Sequence, residues 1–379
     1  MTEMLQARPA WSEWGPGGPG MAWSVGIEEE VMLLDPADWN LASEVDSVLA
    51  AAGNGLSAHL SQETHGSAVE LATTPHATVP QAVAQLHDLR VSLRNTLRGC
   101  GLVGGTAGTH PFAEWRDIHV SAGPRQQQVH QTMRGLARRE PTFALHVHVA
   151  VPDPDAATRA MNRMRAHLPL LLALSANSPF WQGRDSGLAS ARVPLFGAFP
   201  RSGIPREFAS YDELVRTTDT LIRCGAFPEP TFIWWDVRLQ PRYGTLEVRI
   251  MDAQTRISDT AGLAALVQAL VRVEAEEAGL APDALVHAPE VLEENRFLAL
   301  RDGLEAEFLD PQAMTSVPAR EVLARIVDAV APAADELGAG SALLALDDLT
   351  QDPGPARQRL AAAGPHGLIS LVQGLAGHF

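Results

Sequence analysis

Ser24-Val-Gly-Ile-Glu-Glu-Glu-Val-Met-Leu-Leu34 is the stretch of sequence that decides the fold. Its apolar residues predict a strand of about 23–34, followed by the turn signal Asp35-Pro36. Side chains two apart on a strand point to the same face, so Glu28 and Glu30 would present two carboxylates to one side of a sheet. Glu29 breaks the strict alternation. Taken alone, the pair has two interpretations, a functional site or a solvated strand face.

Three further segments also combine a predicted strand with charged residues. They are Glu63 and Glu70 in Glu63-Thr-His-Gly-Ser-Ala-Val-Glu70, His146 and His148 in Leu145-His-Val-His-Val149, and Glu247 and Arg249 in Thr245-Leu-Glu-Val-Arg-Ile250. Five carboxylates gathered at one spot would repel one another unless cations neutralised them. Oxygen ligands with a histidine or two suit Mg²⁺ or Mn²⁺ better than zinc. The set therefore indicates metal-bound phosphate chemistry with ATP.

Each of these pairs also has a simpler interpretation. The two histidines could lie on the exposed side of a half-buried strand, or form a zinc pair, although the sequence offers no matching set of further zinc ligands. Glu247 and Arg249 could form a cross-strand ion pair, with Arg238 on the same side. The joint occurrence of the pairs, in this order, favours the site.

Composition narrows the class of protein. The chain has 379 residues, 46% of them hydrophobic, and a net charge of −16, which argues against a nucleic-acid binder. Two cysteines give no disulfide framework, and no apolar run reaches the 18 or so residues that span a membrane. We therefore expect a cytoplasmic protein with no membrane or nucleic-acid partner.

The pattern along the chain predicts one catalytic domain. Residues 1–20 end in Trp14-Gly-Pro-Gly-Gly-Pro-Gly20 and are expected to form a flexible leader, with a single domain over 21–379. Strands without regular crossover helices indicate an α+β fold, with a mostly helical C-terminal part. Residues 177–206 are predicted to form a long functional loop. Its Arg192 is a candidate for binding a carboxylate or phosphate, or for a structural ion pair.

The order and spacing of these segments resemble the glutamate–cysteine ligase type 2 family, the bacterial carboxylate–amine ligases. The resemblance runs from about Trp23 to Leu309. The matching segments are Gly26-Ile-Glu-Glu-Glu-Val-Met-Leu-Leu-Asp35, Val69-Glu-Leu-Ala-Thr-Thr-Pro75, Gly105-Thr-Ala-Gly-Thr-His-Pro-Phe112, His146-Val-His-Val149, Leu174-Ser-Ala-Asn-Ser-Pro-Phe-Trp181, Gly187-Leu-Ala-Ser-Ala-Arg192, Thr245-Leu-Glu-Val-Arg-Ile-Met-Asp252, Glu294-Asn-Arg296 and Ala299-Leu-Arg301. The chain departs from the family at Ala144 and Ala150, where glycine is common, and neither departure removes a predicted metal ligand.

The resemblance implies a glutamine-synthetase-like fold, in which an antiparallel sheet curls into a funnel with helices outside. It also implies two metal sites and a set of nucleotide contacts. Glu28, His146 and Glu247 would hold the metal that bridges ATP phosphates, and Glu30, Glu63 and Glu70 the metal nearer the substrate carboxylate. His148 would contact the nucleotide phosphate, and Arg249, together with Arg238, would stabilise the transferring phosphoryl group. The expected cofactor contacts are therefore His148 and Arg249, with Arg192 added from its position in the loop.

The function implied is an ATP-dependent carbon–nitrogen ligase of the glutamate–cysteine ligase class, with Mg²⁺ or Mn²⁺ as metal. Its partners would be small-molecule amino-acid substrates and ATP, and a homodimer is the first oligomer to consider. Three alternatives stay open: a phosphotransferase of the guanidino-kinase type, a non-catalytic metal- or nucleotide-binding protein, and a zinc hydrolase. An amide product, a stable phosphagen and ATP-independent turnover would separate the three enzymes.

Overall fold

The computed structural model describes residues 8–15, 21–139, 141–276 and 278–379. The strands are β1 Val25–Leu34, β2 Leu60–Gln62, β3 Ala68–Ala72, β4 Val103–Gly105, β5 Ala144–Ala150, β6 Phe180–Trp181, β7 Arg184–Asp185, β8 Ser202–Gly203, β9 Trp234–Trp235, β10 Val237–Gln240, β11 Thr245–Asp252, β12 Glu307–Asp310 and β13 Thr315–Pro318. The helices are α1 Val45–Ala51, α2 Asn54–Ser57, α3 Val79–Gly99, α4 Pro124–Met133, α5 Pro154–Met164, α6 Leu168–Ser175, α7 Arg192–Phe196, α8 Tyr211–Arg223, α9 Ile257–Glu274, α10 Asp283–Val286, α11 Pro289–Asp302, α12 Ala319–Glu336, α13 Gly340–Leu343, α14 Ala345–Gln351, α15 Gly354–Ala362 and α16 Leu368–His378.

Seven strands form one antiparallel sheet in the order β10-β11-β5-β1-β3-β2, with β4 also beside β1. The strand β1 lies in its interior and pairs on both edges. Strands buried on both faces read as nearly continuous apolar runs, which explains the Val-Met-Leu-Leu end of β1. The predicted α+β class and antiparallel sheet are confirmed. Within the described residues the sheet is open, with β10 and β2 at its edges.

The two faces of β1 have different roles. Val25, Ile27, Val31 and Leu33 point into the main apolar core, which also includes residues of α3, α5, α6 and α9. Glu29 lies on this same face, because it too has an odd number, and it is fully buried. The even-numbered residues face the other way. The helices therefore cover one face of β1 and leave Glu28 and Glu30 on the opposite one.

The N-terminal residues that the structure describes pack against the domain. Residues 1–7 and 16–20 of the predicted leader lie outside the described residues. Within 8–15, Ser12 is buried and its carbonyl accepts a hydrogen bond from Tyr211 Oη at 2.7 Å. Trp14 donates through Nε1 to the carbonyl of Val151 at 3.0 Å. Trp11 and Trp14 also pack against the main apolar core. This part of the expected flexible leader is thus anchored.

The predicted helices and loops need two corrections. Asp153 to Asp155 offer N-cap residues and predict a helix from there through Ser175. The helix begins at the N-cap Asp153, as expected, but a 3-10 turn at Arg165–His167 divides it into α5 and α6. The loop over 177–206 contains the short helix α7 and several two-residue strands. None of the described helices combines the length and the apolar character needed to cross a bilayer.

Candidate active site

The register of the sheet brings the predicted ligands onto one face. On β1, Glu28 lies opposite His146 of β5, and Glu30 lies opposite Glu70 of β3. On the far side of β5, His148 lies opposite Glu247 of β11. Directly opposite residues in antiparallel strands have Cβ atoms about 5 Å apart, so these pairs form a continuous row of polar groups. Glu63 joins them from the turn between β2 and β3.

An irregularity in β11 occurs at the position of Arg249. Val248 pairs with Val147 and Met251 pairs with Leu145, so that Arg249 and Ile250 both lie opposite His146. A bulge of this kind places an extra residue in one strand and re-aims the side chains around it. Glu247 and Arg249 consequently share the site face, and beyond the bulge that face continues with Asp252, which lies opposite Ala144.

The acids and histidines fall into three groups, each with donor atoms within 4.8 Å of one another. The groups are Glu28 with His148 and Glu247, Glu28 with Glu70 and His146, and Glu30 with Glu63 and Glu70. The last group is the set that the resemblance implies for the metal near the substrate. The other two differ from the implied assignment, because His148, rather than His146, lies with Glu28 and Glu247.

Both imidazoles are surrounded by carboxylates. His146 Nδ1 lies 3.1 Å from Glu28 Oε2, and His148 Nε2 lies 3.4 Å from Glu28 Oε1 and 3.8 Å from Glu247 Oε1. The Nε2 atoms of both histidines are buried and have no hydrogen-bond partner. A buried ring nitrogen with no partner, close to several carboxylate oxygens, is a typical metal donor.

Two arginines hold Glu247. Arg238 donates from Nε to Glu247 Oε2 at 2.7 Å and from Nη2 to Oε1 at 3.2 Å, and its Nη1 binds the carbonyls of Thr231 and Ile233. Arg249 donates from Nη1 to Glu247 Oε1, while its buried Nε has no partner. Arg238 therefore has all of its donor groups engaged by protein atoms. Arg249 keeps its Nε donor free.

The electrostatic environment divides the glutamates into two sets. Burial alone would raise the pKa of Glu247, but the charges of Arg238 and Arg249 bring it well below its usual value. Burial likewise opposes ionisation of Glu28, and the charge of His148 and a hydrogen bond from His146 lower its pKa overall. Both carboxylates are thus held ionised by neighbouring cationic or hydrogen-bonding groups.

The other two carboxylates behave in the opposite way. Burial and the nearby charge of Glu30 raise the pKa of Glu63 to about 8. Burial and the charges of Glu28, Glu63 and Glu30 raise the pKa of Glu70 well above its usual value. Without a cation, this end of the site holds protons against the mutual repulsion of its carboxylates. The donor set therefore fits hard divalent cations, which would replace those protons.

Arg192 lies beside the site, with a role that stays untested. Its Nη1 donates to the carbonyl of Ile250 at 3.0 Å and its Nη2 to that of Arg249 at 3.2 Å, and Asp252 Oδ1 lies 3.8 Å from Nη1. The guanidinium is buried and binds the irregular part of β11. These contacts match the alternative of a structural ion pair that the sequence left open.

Sequence reasoning missed several polar residues around the ligands. Gln240 donates to Glu247 Oε2 at 2.8 Å, and Thr245 Oγ1 lies 3.1 Å from His148 Nδ1. Buried Asp252 accepts hydrogen bonds from the hydroxyl groups of Ser178 and Ser190. The period-2 pattern on β10 and β11 could have indicated Gln240 and Thr245, since they share the parity of Arg238 and Glu247.

Fold and site together define a class of protein: an α+β domain that gathers acids, imidazoles and arginines on one face of an antiparallel sheet, where the acids and imidazoles could hold metal ions. The model of glutamate–cysteine ligase family 2 matches residues 24–371, and the chain belongs to that family. This confirms the family resemblance predicted from the sequence.

Similar proteins agree with that membership. A Rubrobacter xylanophilus protein with the provisional name glutamate–cysteine ligase 2-3 is 39% identical over 361 residues, which cover 95% of this chain and 98% of that protein. A Sorangium cellulosum protein with the provisional name glutamate–cysteine ligase 2 is 38% identical over 83% of this chain and 84% of its own length. The chain thus matches both relatives over most of their length.

A solved structure confirms the predicted fold class. Glutamate–cysteine ligase from Francisella tularensis, solved in complex with AMP, has a TM-score of 0.68 at 13% identity, over 94% of this chain and 88% of that one. At this identity the likeness is one of fold. It establishes the ligase fold expected from the sequence, with the sheet open.

Proposed function

We propose that the chain is an ATP- and Mg²⁺-dependent carboxylate–amine ligase, which joins the γ-carboxylate of glutamate to an amine such as that of cysteine. The observation that carries the proposal is the set of three overlapping donor groups on the sheet face, built from five glutamates and two histidines. Membership of glutamate–cysteine ligase family 2 supports the choice of acid and amine. Mn²⁺ would serve the same donor atoms.

The residues divide into metal holders and phosphate contacts. The group of Glu30, Glu63 and Glu70 would hold the metal near the acid, and the groups that contain Glu28 would hold metal near the polyphosphate. A bound divalent cation would neutralise the charge of the phosphates, so that a second anion can approach them. Because the ligands come from four strands of one sheet and from the turn between β2 and β3, the sheet itself fixes their spacing.

The two arginines would have different tasks. The free Nε–H of Arg249 is a donor that a phosphoryl oxygen could accept from, so we assign Arg249 the stabilisation of the transferring group. Arg238 binds Glu247 and two carbonyls, so we assign it the positioning of Glu247 rather than direct contact with the phosphoryl group. Glu247 is buried, and the positive charges of Arg238 and Arg249 keep its carboxylate ionised.

The proposed chemistry proceeds in two displacements. A carboxylate oxygen of the acid attacks the γ-phosphorus of ATP, the bond to ADP breaks, and an acyl phosphate forms. The nitrogen of the amine then attacks the acyl carbon and loses a proton, and inorganic phosphate leaves with the electrons of the C–O bond. The net products are an amide, ADP and phosphate. A free carboxylate is a poor acylating agent, which is why ATP is needed.

Both cysteines, Cys100 and Cys224, are free thiols. Free thiols are common in the reducing cytoplasm, where disulfides are rare. We therefore propose the cytoplasm as the setting of the reaction.

The test is mass spectrometry of a reaction that contains the protein, ATP, Mg²⁺, glutamate and a pool of amines including cysteine, with ATP omitted as a control. We expect an ATP-dependent adduct lighter than its two parts by one water. Glu247→Gln should abolish it, and Glu290→Gln, at an exposed position on α11, should not. ADP with a phosphorylated acceptor and no adduct would instead identify a phosphotransferase.

A further inference from the structure

Tyr243 is an exposed aromatic residue at the edge of the acidic site. It lies in the 3-10 turn Pro241–Tyr243 between β10 and β11, which ends at Gly244 in the left-handed conformation with φ 66°. The Tyr243 side chain is 56% exposed. Its ring centroid lies 6.4 Å from that of His148, with the two rings nearly perpendicular at 79°. The ring therefore borders the group formed by Glu28, His148 and Glu247.

This position differs from that of the other exposed aromatic rings. Among the described residues, Trp115 and Phe297 are also exposed, each at 45%. Of these three rings, the one that contacts a residue of the donor groups is Tyr243, which lies against His148. The guanidinium carbon of Arg242 lies 5.7 Å from the Tyr243 centroid, so that positive charge accompanies the ring. The ring is thus accessible to a ligand, and Arg242 together with the cations that the donor group would hold suits a polyanion.

Backbone hydrogen bonds to Gly15, near the N-terminus, and to Val151 hold the turn that carries Tyr243. The backbone N–H of Gly15 donates to the carbonyl of Pro241 at 2.7 Å, and that of Val151 donates to the carbonyl of Gly244 at 3.0 Å. A Cβ at Gly15 would lie 2.4 Å from the carbonyl oxygen of Arg242, so the two backbones touch. The backbone of the turn is therefore held in place before any ligand binds, which reduces the entropy lost on binding.

We propose that Tyr243 is the stacking surface for the purine base of the nucleotide, with residues 8–15 as the support of its turn. The proposal rests on the proposed function, since it takes ATP to bind through its phosphates at the donor groups beside His148. A purine presents a flat π face to an aromatic ring, and such stacking is tolerant of the exact base. The ring would thus supply affinity for the base, separate from the affinity for the phosphates.

The experiment compares ATP with inorganic tripolyphosphate, which has the phosphates and lacks the base. Isothermal titration calorimetry of the full chain with saturating Mg²⁺ would measure both ligands for the wild type, Tyr243→Ala and Tyr243→Phe. We expect Tyr243→Ala to weaken ATP binding roughly 5- to 150-fold, the range for loss of one stacked base. Tripolyphosphate binding should stay unchanged, and Tyr243→Phe should keep the affinity for both.

Phe297→Ala serves as the matched control, because it removes an equally exposed ring on α11 outside the donor groups, and it should change neither affinity. Unchanged ATP binding by Tyr243→Ala would overturn the inference and leave the ligase proposal intact. Equal losses for ATP and tripolyphosphate would also overturn it, since the ring would then act through the phosphate site. A wild-type protein that binds neither ligand would refute the proposed function together with the inference.

Discussion

Replacing Arg90 with methionine tests whether an ion pair behind the site holds β1 in place. Arg90, on α3, donates from Nε to Glu29 Oε2 at 2.8 Å and from Nη2 to Oε1, and both side chains are buried. Its guanidinium also binds the carbonyls of Thr255 at 3.2 Å and Gln254 at 2.8 Å. The pair thus ties β1 to the segment that follows β11.

The expected loss is large because the substitution leaves Glu29 as a buried charge without a partner. Removing one member of a buried pair costs about 3–5 kcal/mol, and each carbonyl that loses its donor adds about 1–3 kcal/mol. The total is about 5–11 kcal/mol. An unfolding entropy of about 2.1 cal/mol/K per residue gives roughly 1.3 °C of Tm per kcal/mol for a chain of this length, so Arg90→Met should lower Tm by about 6–14 °C. Differential scanning fluorimetry and circular dichroism would measure the shift.

The double variant Glu29→Met/Arg90→Met distinguishes the charge from the packing. Because it removes both charges, we expect it to be more stable than Arg90→Met alone. It should still be less stable than the wild type, because the carbonyls of Thr255 and Gln254 lose their hydrogen-bond donor. Arg320→Met, which breaks an exposed pair with Glu305, should cost less than about 1 kcal/mol. A Tm of Arg90→Met equal to that of Arg320→Met would refute the reasoning.

Three further predictions concern the site and its surroundings. Glu28→Gln and Glu247→Gln should each abolish ATP turnover with an unchanged circular dichroism spectrum, since each removes a charged donor from the cluster; normal turnover would contradict the metal assignment. Mn²⁺ at 100 times its Kd should stabilise the wild type by about 2.7 kcal/mol and Glu28→Gln by less, as measured by denaturant unfolding. Burial lowers the pKa of His110 from 6.5 to about 4. The free energy of unfolding should therefore fall as pH decreases from 6.5 towards 4, by about 2 kcal/mol at pH 5. His110→Gln should remove that part of the pH dependence, whereas His366→Gln, at an exposed position, should keep it.

The site residues were predictable because of the period of a strand. Glu28 and Glu30, like His146 and His148, are two apart, and this spacing places each pair on one face whatever the partner strand. The role of Glu29 was not predictable in the same way. Its partner Arg90 is 61 residues away on a helix, and only the packing of α3 on the sheet brings the two together.

Which residues share a donor group also depends on the register of the strands. The family resemblance implied that His146 lies with Glu28 and Glu247, whereas in the structure His148 lies with these two acids. Which histidine lies nearer to Glu247 depends on the pairing of β5 with β11, and the irregularity after Val248 changes that pairing by one residue. A single sequence gives no signal for such a shift.

Elements of low periodicity were predicted least well. Within the C-terminal part predicted to be mostly helical, the sequence pattern predicts a helix over 287–308. In the structure that helix is α11, which ends at Asp302, and residues from 307 form the first strand of the hairpin β12–β13, which was not predicted. Asn295 explains the change, because its side chain donates to the carbonyl of Leu309 and accepts from its N–H. A single side chain of α11 thus fixes the strand next to it, an effect that hydrophobic pattern cannot show.

The charges of the site predict the order in which its ligands bind. With all five carboxylates ionised, as metal binding would leave them, they and the two guanidinium groups carry a charge of −3. Burial and the neighbouring carboxylates raise the pKa of Glu63 and Glu70, so without a cation this state is unfavourable. One divalent cation would still leave the site negative and repel a polyphosphate, whereas two would make it positive. ATP affinity should therefore rise steeply with the second equivalent of Mn²⁺ rather than the first. Calorimetry of ATP at fixed Mn²⁺ equivalents would show this, and equally tight binding with a single equivalent would mean that the arginines alone suffice to attract the nucleotide.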